Sequence, residues 1–200
     1  MGMDTGVDAR KIALRDQLVT ARRRRPLTEI VADANAIAEH LLAAEEVRRA
    51  ATVAAYVSVS TEPGTGPLLE RLHAMGRRVI LPLLLPDHDL DWAPYTGPEA
   101  LMPGRRGTLE PGAPRLGPDA LATADVVLAP GLAVDRTGMR LGRGGGSYDR
   151  ALARVPVGTF VCVLLFDGEI VDAVPAADHD RRVTAAATPS GIIRFGAAPA

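Results

Sequence analysis

Residues 140–150 read R-L-G-R-G-G-G-S-Y-D-R. Gly142, Gly144, Gly145 and Gly146 free the backbone for positive φ and for close approach to a ligand. Backbone N–H groups in such a loop, with a helix N-terminus following, form an anion site. Arg140, Arg143 and Arg150 add charge-assisted donors suited to phosphate. Asp149 supplies a hard oxygen, the ligand type that Mg²⁺ prefers beside nucleotide phosphates. The loop is not a Walker A sequence, and Ser147 stands where a dinucleotide fingerprint needs its third glycine. A flexible surface loop with solvated arginines is the bland alternative.

The composition narrows the setting. The chain has 200 residues, 23 basic and 24 acidic, with a formal charge of −1. That balance argues against nucleic-acid binding through bulk charge. Of the 23 cations, 22 are Arg and one, Lys11, is Lys. A lone Cys162 forbids an internal disulfide framework and suits a reducing cytosol. Apolar runs such as Val161 to Phe166 fall short of the roughly 18 residues that a membrane span needs. Met1 to Ala9 carry no apolar signal-peptide core.

The elements that must hold the loop follow from periodicity. Helical spacing covers Arg10 to Arg24, with Pro26 as the stop, and the run Arg22 to Arg25 reads as a solvated helix terminus. A polyanion patch is the alternative for that run. Thr28 reads as the N-cap of a second helix reaching Arg49. Thr52 to Val59 reads as a buried strand, Pro67 to Met75 as a helix, Arg78 to Leu81 as a strand and Asp89 to Tyr95 as an edge strand. Residues 96–118 are the least regular, with a short helix following at Pro118 to Thr123. Asp125 to Ala129 and Val157 to Phe166 read as buried strands flanking the Gly-rich loop and a helix at Ser147 to Arg154. Asp167-Gly168 reads as a hairpin turn into Glu169 to Val174. Strands alternating with helices predict an α/β sheet covered on both faces, in one domain with loose ends near 1–9 and 190–200.

Several segments together resemble the 5-formyltetrahydrofolate cyclo-ligase family. Its P-G-x-x-[FY]-D segment and R-L-G-x-G-x-G-[FY]-Y-D-[RK] loop match Pro130, Gly131, Asp135 and Arg140 to Arg150, except at Val134 and Ser147. Lys11 and Arg15 match an N-terminal K-x-x-x-R, and Ser58 to Thr65 a Ser-rich acidic turn. Gly107 to Pro111 match G-[IVT]-x-E-P, and Val174, Pro175, His179 and Asp180 match V-P-x-x-x-H-D. The resemblance implies a three-layer α/β/α Rossmann-like fold with a mostly parallel sheet, as in CoA transferases. It implies Mg-ATP-dependent closure of 5-formyltetrahydrofolate to 5,10-methenyltetrahydrofolate, through a phosphorylated formyl group, with ADP and phosphate released. No protein nucleophile is needed, in keeping with the absence of a G-x-S-x-G elbow or a Cys–His signature.

Residue by residue, the resemblance assigns Lys11, Arg15 and the loop Arg140, Leu141, Gly142, Arg143, Gly144, Gly145, Gly146, Ser147 and Tyr148 to ATP. Lys11, Arg143 and Tyr148 take the catalytic roles, and Asp149 and Asp180 hold Mg²⁺. Val59, Glu62, Gly64, Trp92 and Tyr148 face the folate. Gly64 stands where the family has a second acid, so either Glu62 substitutes or the pterin is held differently. Ser147 replaces an aromatic residue and removes a stacking surface. His179 could orient Asp180, Glu110 could bind substrate or cap a loop, and Cys162 reads as a core residue. A cytoplasmic monomer acting on a small, optionally polyglutamylated folate is expected, without nucleic-acid or membrane partners. Two rivals stay open: a phosphate or CoA enzyme of similar fold, and a non-catalytic folate or nucleotide regulator.

Overall fold

The computed structural model describes residues 4–177 and 180–196; His179 lies outside them. The first helix, α1, spans Asp4–Arg23 and so begins six residues before the periodicity predicts. The second, α2, is Leu27–Ala43, capped by Pro26 rather than by Thr28. Ala44 adopts an extended conformation (ψ 136°) and breaks the expected single helix into α2 and a short α3, Glu45–Arg49. The apolar face continues across the break, which is why spacing alone joins them: Ala34, Ile37, Ala38 and Leu41 are buried, and so is Val47.

The central strands are β1 (Thr52–Ala54), β2 (Arg78–Leu84), β3 (Leu90–Pro94), β6 (Val126–Pro130), β9 (Phe160–Leu164), β11 (Ala185–Thr188) and β12 (Gly191–Arg194). Their order is β12-β11-β9-β6-β1-β2-β3. The five inner strands are parallel, and β3 and β12 close the edges antiparallel. Helix α4 (Gly66–Ala74) connects β1 to β2. Alternate strand residues serve opposite faces. Val53, Val126, Leu128, Cys162 and Leu164 pack on α2 and α4. Ala54, Val127, Val161 and Val163 pack on Leu121, Ala151 and Leu152 beneath α5 (Ser147–Leu152). The expected three-layer α/β/α arrangement with a mostly parallel sheet is thus present. Among the described residues no helix is long and apolar enough to cross a membrane.

Several strands differ from expectation, among them β11 and β12, for which no strand is expected and the second of which occupies part of the expected loose end. Strand β1 stops at Ala54, because the chain then leaves the ladder and Tyr56, Val57 and Val59 turn to a cavity. Strand β2 runs on through Pro82 to Leu84. Beyond Ile80 it has lost β1 as a neighbour and pairs only with β3, so a proline without an N–H is tolerated there. Asp167-Gly168 does not make a hairpin. Its next strand, β10 (Ile170–Val171), pairs in parallel with β7 (Ala133–Asp135) in a small separate sheet completed by β8 (Arg140–Leu141). A ribbon of β4 (Leu101–Pro103) and β5 (Leu109–Pro111) lies in the region expected to be irregular.

Helix α1 docks on the small sheet. Leu18 packs with Leu132, Ala133, Met139, Leu141 and Val174. Arg22 overturns the expectation of a solvated terminus. It is 1% exposed, donates from Nε and Nη2 to Glu169 at 2.7 Å each, and donates from Nη2 to the Gly131 carbonyl at 2.8 Å. Arg25 stacks over Phe166 at 4.2 Å, so of the four arginines only Arg23 and Arg24 are exposed. At 100° per residue, Lys11, Arg15, Leu18 and Arg22 fall within about 60° of one another on the helix. One face of α1 therefore carries three cations and a leucine toward the body of the protein.

Candidate active site

Two cavities meet at residues 140–149. The larger, about 380 Å³, has apolar sides at Val57, Pro82, Leu84 and Leu90 and polar groups at Tyr56, Glu62, Glu110 and Tyr148. The smaller, about 140 Å³, is lined by Lys11, Arg15, Arg140, Leu141, Asp149 and Asp180, with Asp8 at its edge. Arg140, Gly142, Gly144, Gly146 and Asp149 belong to both walls. The loop between β8 and α5 is thus a shared partition. Gly144 (φ 95°) and Gly146 (φ 68°) hold left-handed turns in it that L residues rarely adopt.

Lys11, Arg15, Arg140, Asp149 and Asp180 of the smaller cavity each have a partner. Lys11 Nζ lies 2.5 Å from Asp180 Oδ2, which also accepts from the Ala177 N–H at 2.7 Å. Arg15 Nε donates to the Gly142 carbonyl at 2.9 Å and so ties α1 to the loop. Arg140 Nη2 donates to Asp149 Oδ1 at 3.0 Å, and its Nη1 donates to the Pro130 carbonyl at 3.1 Å. The backbone N–H of Arg181 also donates to Asp149 Oδ1, at 3.3 Å. Positive and negative groups therefore alternate around a small volume. That pattern can exchange partners with an anion and a cation arriving together.

Across the partition, Glu62 is 7% exposed. Its Oε2 accepts from the Val59 N–H at 2.9 Å and its Oε1 from Arg143 Nε at 3.1 Å. Burial raises its carboxyl above the usual range, against the downward pull of the Val59 N–H and the Arg143 guanidinium. Tyr148 stands beneath the Arg140 guanidinium, 5.9 Å from its ring centre, and burial pushes its phenol far up. Nearby, Asp135 of the P-G-x-x-x-D segment faces neither cavity. It accepts from Thr137 (N and Oγ1), Met139 N and Val174 N. Burial works against its charge, but these hydrogen bonds outweigh it and hold the carboxyl below its usual range.

Of the residues picked from sequence, Lys11, Arg15, Leu141 and Asp180 line the small cavity. Val59, Glu62, Arg143, Gly145, Ser147 and Tyr148 line the large one. Two do not belong. Trp92 is fully buried in the core layer under β3, packed with Ile80 and Leu121, so it offers no stacking face. Gly64 lies against α2, where a Cβ would come within 2.9 Å of Ala34 Cβ, and it lines neither cavity. Glu110 lines the large cavity and accepts from the Leu84 N–H and Thr108 hydroxyl, both at 3.1 Å, so it holds the loop together there. Cys162 is in the core, where burial raises its thiol. Tyr56 is a cavity residue that sequence reasoning passes over, because it reads as one more apolar position in a buried strand.

The comparisons agree with this geometry. The model of the 5-formyltetrahydrofolate cyclo-ligase family matches residues 7–189, which include every residue lining either cavity. A 5-formyltetrahydrofolate cyclo-ligase of Mycolicibacterium smegmatis is 42% identical over 148 residues, 71% of this chain and 76% of that protein. The Escherichia coli protein of the same name is 34% identical over 149 residues, 70% of this chain and 79% of that one. In fold, the chain is similar to a 5,10-methenyltetrahydrofolate synthetase of Aquifex aeolicus, with a TM-score of 0.80 at 24% identity over 95% of both chains. It is also similar to one from Mycoplasma pneumoniae, with a TM-score of 0.72 at 19% identity over 90% of this chain and 98% of that one. With its glycine partition, its K-x-x-x-R helix and nearly its whole length accounted for, the chain belongs to the 5-formyltetrahydrofolate cyclo-ligase family.

Proposed function

We propose that this chain binds ATP in the smaller cavity and 5-formyltetrahydrofolate in the larger one, and joins their chemistry across the partition to make 5,10-methenyltetrahydrofolate. One observation carries the reading: residues 140–149 wall both cavities, so a phosphoryl group on one side meets a formyl oxygen on the other. The formyl oxygen attacks the γ-phosphorus and ADP leaves. N10 of the folate then attacks the formyl carbon and loses its proton. Phosphate departs with the former formyl oxygen. No protein nucleophile takes part, so the protein contributes position and charge.

Lys11 and Arg15 supply cations to the phosphates from one face of α1, and Arg140 from the partition. Arg143, braced by Glu62, stands on the folate side with Tyr148. Asp149 and Asp180 fit Mg²⁺ as a partial set. No group of three His, Cys, Asp or Glu side chains occurs among the described residues, so phosphate oxygens would complete the shell, as is usual for this ion. Bound there, Mg²⁺ would offset phosphate charge. Cys162, the one thiol, suits a reducing cytosol, and the chain is taken to act as a monomer, which size-exclusion chromatography would test.

The test is incubation with 5-formyltetrahydrofolate, Mg²⁺ and ATP while following the near-ultraviolet absorbance of the methenyl product. An ATP-dependent rise is expected; none in a folded preparation rejects the reading.

A further inference from the structure

Among the described residues, six buried side-chain nitrogens or oxygens lack a hydrogen-bond partner. Three of them belong to residues that line the larger cavity, and a fourth to a side chain that holds one of its lining residues. The three are Tyr56 OH, Tyr148 OH and Arg140 Nε. The fourth is Arg22 Nη1, whose side chain holds the Gly131 carbonyl. An unmet buried polar group costs on the order of 1–3 kcal/mol, so proteins rarely gather several in one place without use for them.

Tyr56 is the least explained of the four. It is 4% exposed, and it leaves the end of β1 with its ring packed in the core against residues such as Leu68 and Leu69. A phenylalanine would serve that packing equally. Glu62 and Tyr148 both lie near enough to act on its phenol electrostatically, so three polar side chains share this corner. The opposite sides, at Pro82, Leu84 and Leu90, are apolar. Two phenols and a carboxylate, between apolar walls, match a flat ring whose edge carries alternating N–H and C=O groups.

We infer that Tyr56 is a specificity-determining residue whose hydroxyl, together with that of Tyr148, hydrogen-bonds the polar edge of the substrate's heterocycle. The inference rests on the folate reading above and deepens it. In the free protein the hydroxyl is unsatisfied; on binding, contacts that are open in the free enzyme tighten and satisfy it. Stability and affinity should therefore move in opposite directions when the oxygen is removed.

The experiment compares the full chain with its Tyr56→Phe variant. Thermal unfolding of the free proteins, equilibrium binding of 5-formyltetrahydrofolate and steady-state kinetics are measured on both. The variant should unfold at the same temperature or higher. It should bind the folate about tenfold more weakly, the loss of one hydrogen bond. Its KM for ATP should stay within about twofold. The same weakening should persist with 5-formyltetrahydropterin, which lacks the aminobenzoylglutamate tail, because the hydroxyl reads the ring. Unchanged folate affinity, a lowered unfolding temperature, or a loss that vanishes with the tail-less ring would each overturn the assignment. If the unsubstituted chain binds no folate at all, the functional reading falls first, and this inference falls with it.

Discussion

Lys11 Nζ and Asp180 Oδ2 are 2.5 Å apart, with side chains only 5% and 9% exposed, although 169 residues separate them in sequence. The one lysine of the chain is therefore structural as well as a candidate phosphate ligand. Lys11→Met should lower kcat/KM for ATP at least tenfold, from about 1.5–3 kcal/mol for a charge-assisted hydrogen bond. It should also cost about 3 kcal/mol of stability by removing the cation from a buried pair. Adding Asp180→Asn should recover much of the stability but none of the ATP use. Urea titration and steady-state kinetics on the single and double variants separate the two roles.

Asp149 is engaged by Arg140, as Asp180 is by Lys11. A divalent cation alone would have to pull both carboxylates from their partners, and a polyphosphate alone would pull the cations from theirs. Together they exchange. Calorimetry should find nucleotide affinity at least tenfold higher with Mg²⁺ than without it, and weak binding of Mg²⁺ alone. Asp149→Asn should flatten that dependence; an unchanged Mg²⁺ response would remove Asp149 from the metal site.

The Arg22–Glu169 pair is buried, and Glu169 Oε2 also accepts from the Phe166 N–H at 2.8 Å. Arg22→Met should destabilise the protein by about 3–5 kcal/mol, since it leaves a carboxylate buried without its cation. Pairing it with Glu169→Met should cost less than the sum of the two single changes. Chemical denaturation in a double-mutant cycle measures the difference.

Asp135 titrates below its usual range in the folded chain. Its contribution is complete above the unfolded value, about 3.9, and is lost as the pH falls through the lower folded value. Asp135→Asn should therefore cost about 2 kcal/mol at neutral pH. The deficit should shrink below about pH 4, where the wild-type carboxyl also gains its proton. Unfolding free energies across that range give the test.

The partition was legible because glycine spacing and arginine density are local properties, and residues 140–150 carry both. So were four of the five inner strands, in whole or part; β11 was not, because three alanines and a threonine carry neither a β-branched run nor an alternation. Nor was Trp92. An edge strand offers its aromatic residue to a ligand, whereas the segment at 118–123 folds over that face and seals it. Gly64 was misplaced for a similar reason, since its neighbour Ala34 lies on a helix 30 residues earlier. Arg22 sits in a run whose members look alike in sequence, and only the path of the chain back to Glu169 distinguishes it. These last three misses each concern a contact across the chain, which spacing does not encode.

Helix α1 meets the protein through Lys11, Arg15 and Arg22 as well as through Leu14, Leu18 and Val19, and two of those three cations border the small cavity. A guest anion there would act as mortar, gripping the helix on one side and the glycine partition on the other. Occupancy of the cavity and attachment of the first helix are then a single equilibrium seen from two ends. Amide exchange along α1 would report the presence of a ligand that most of the helix never touches.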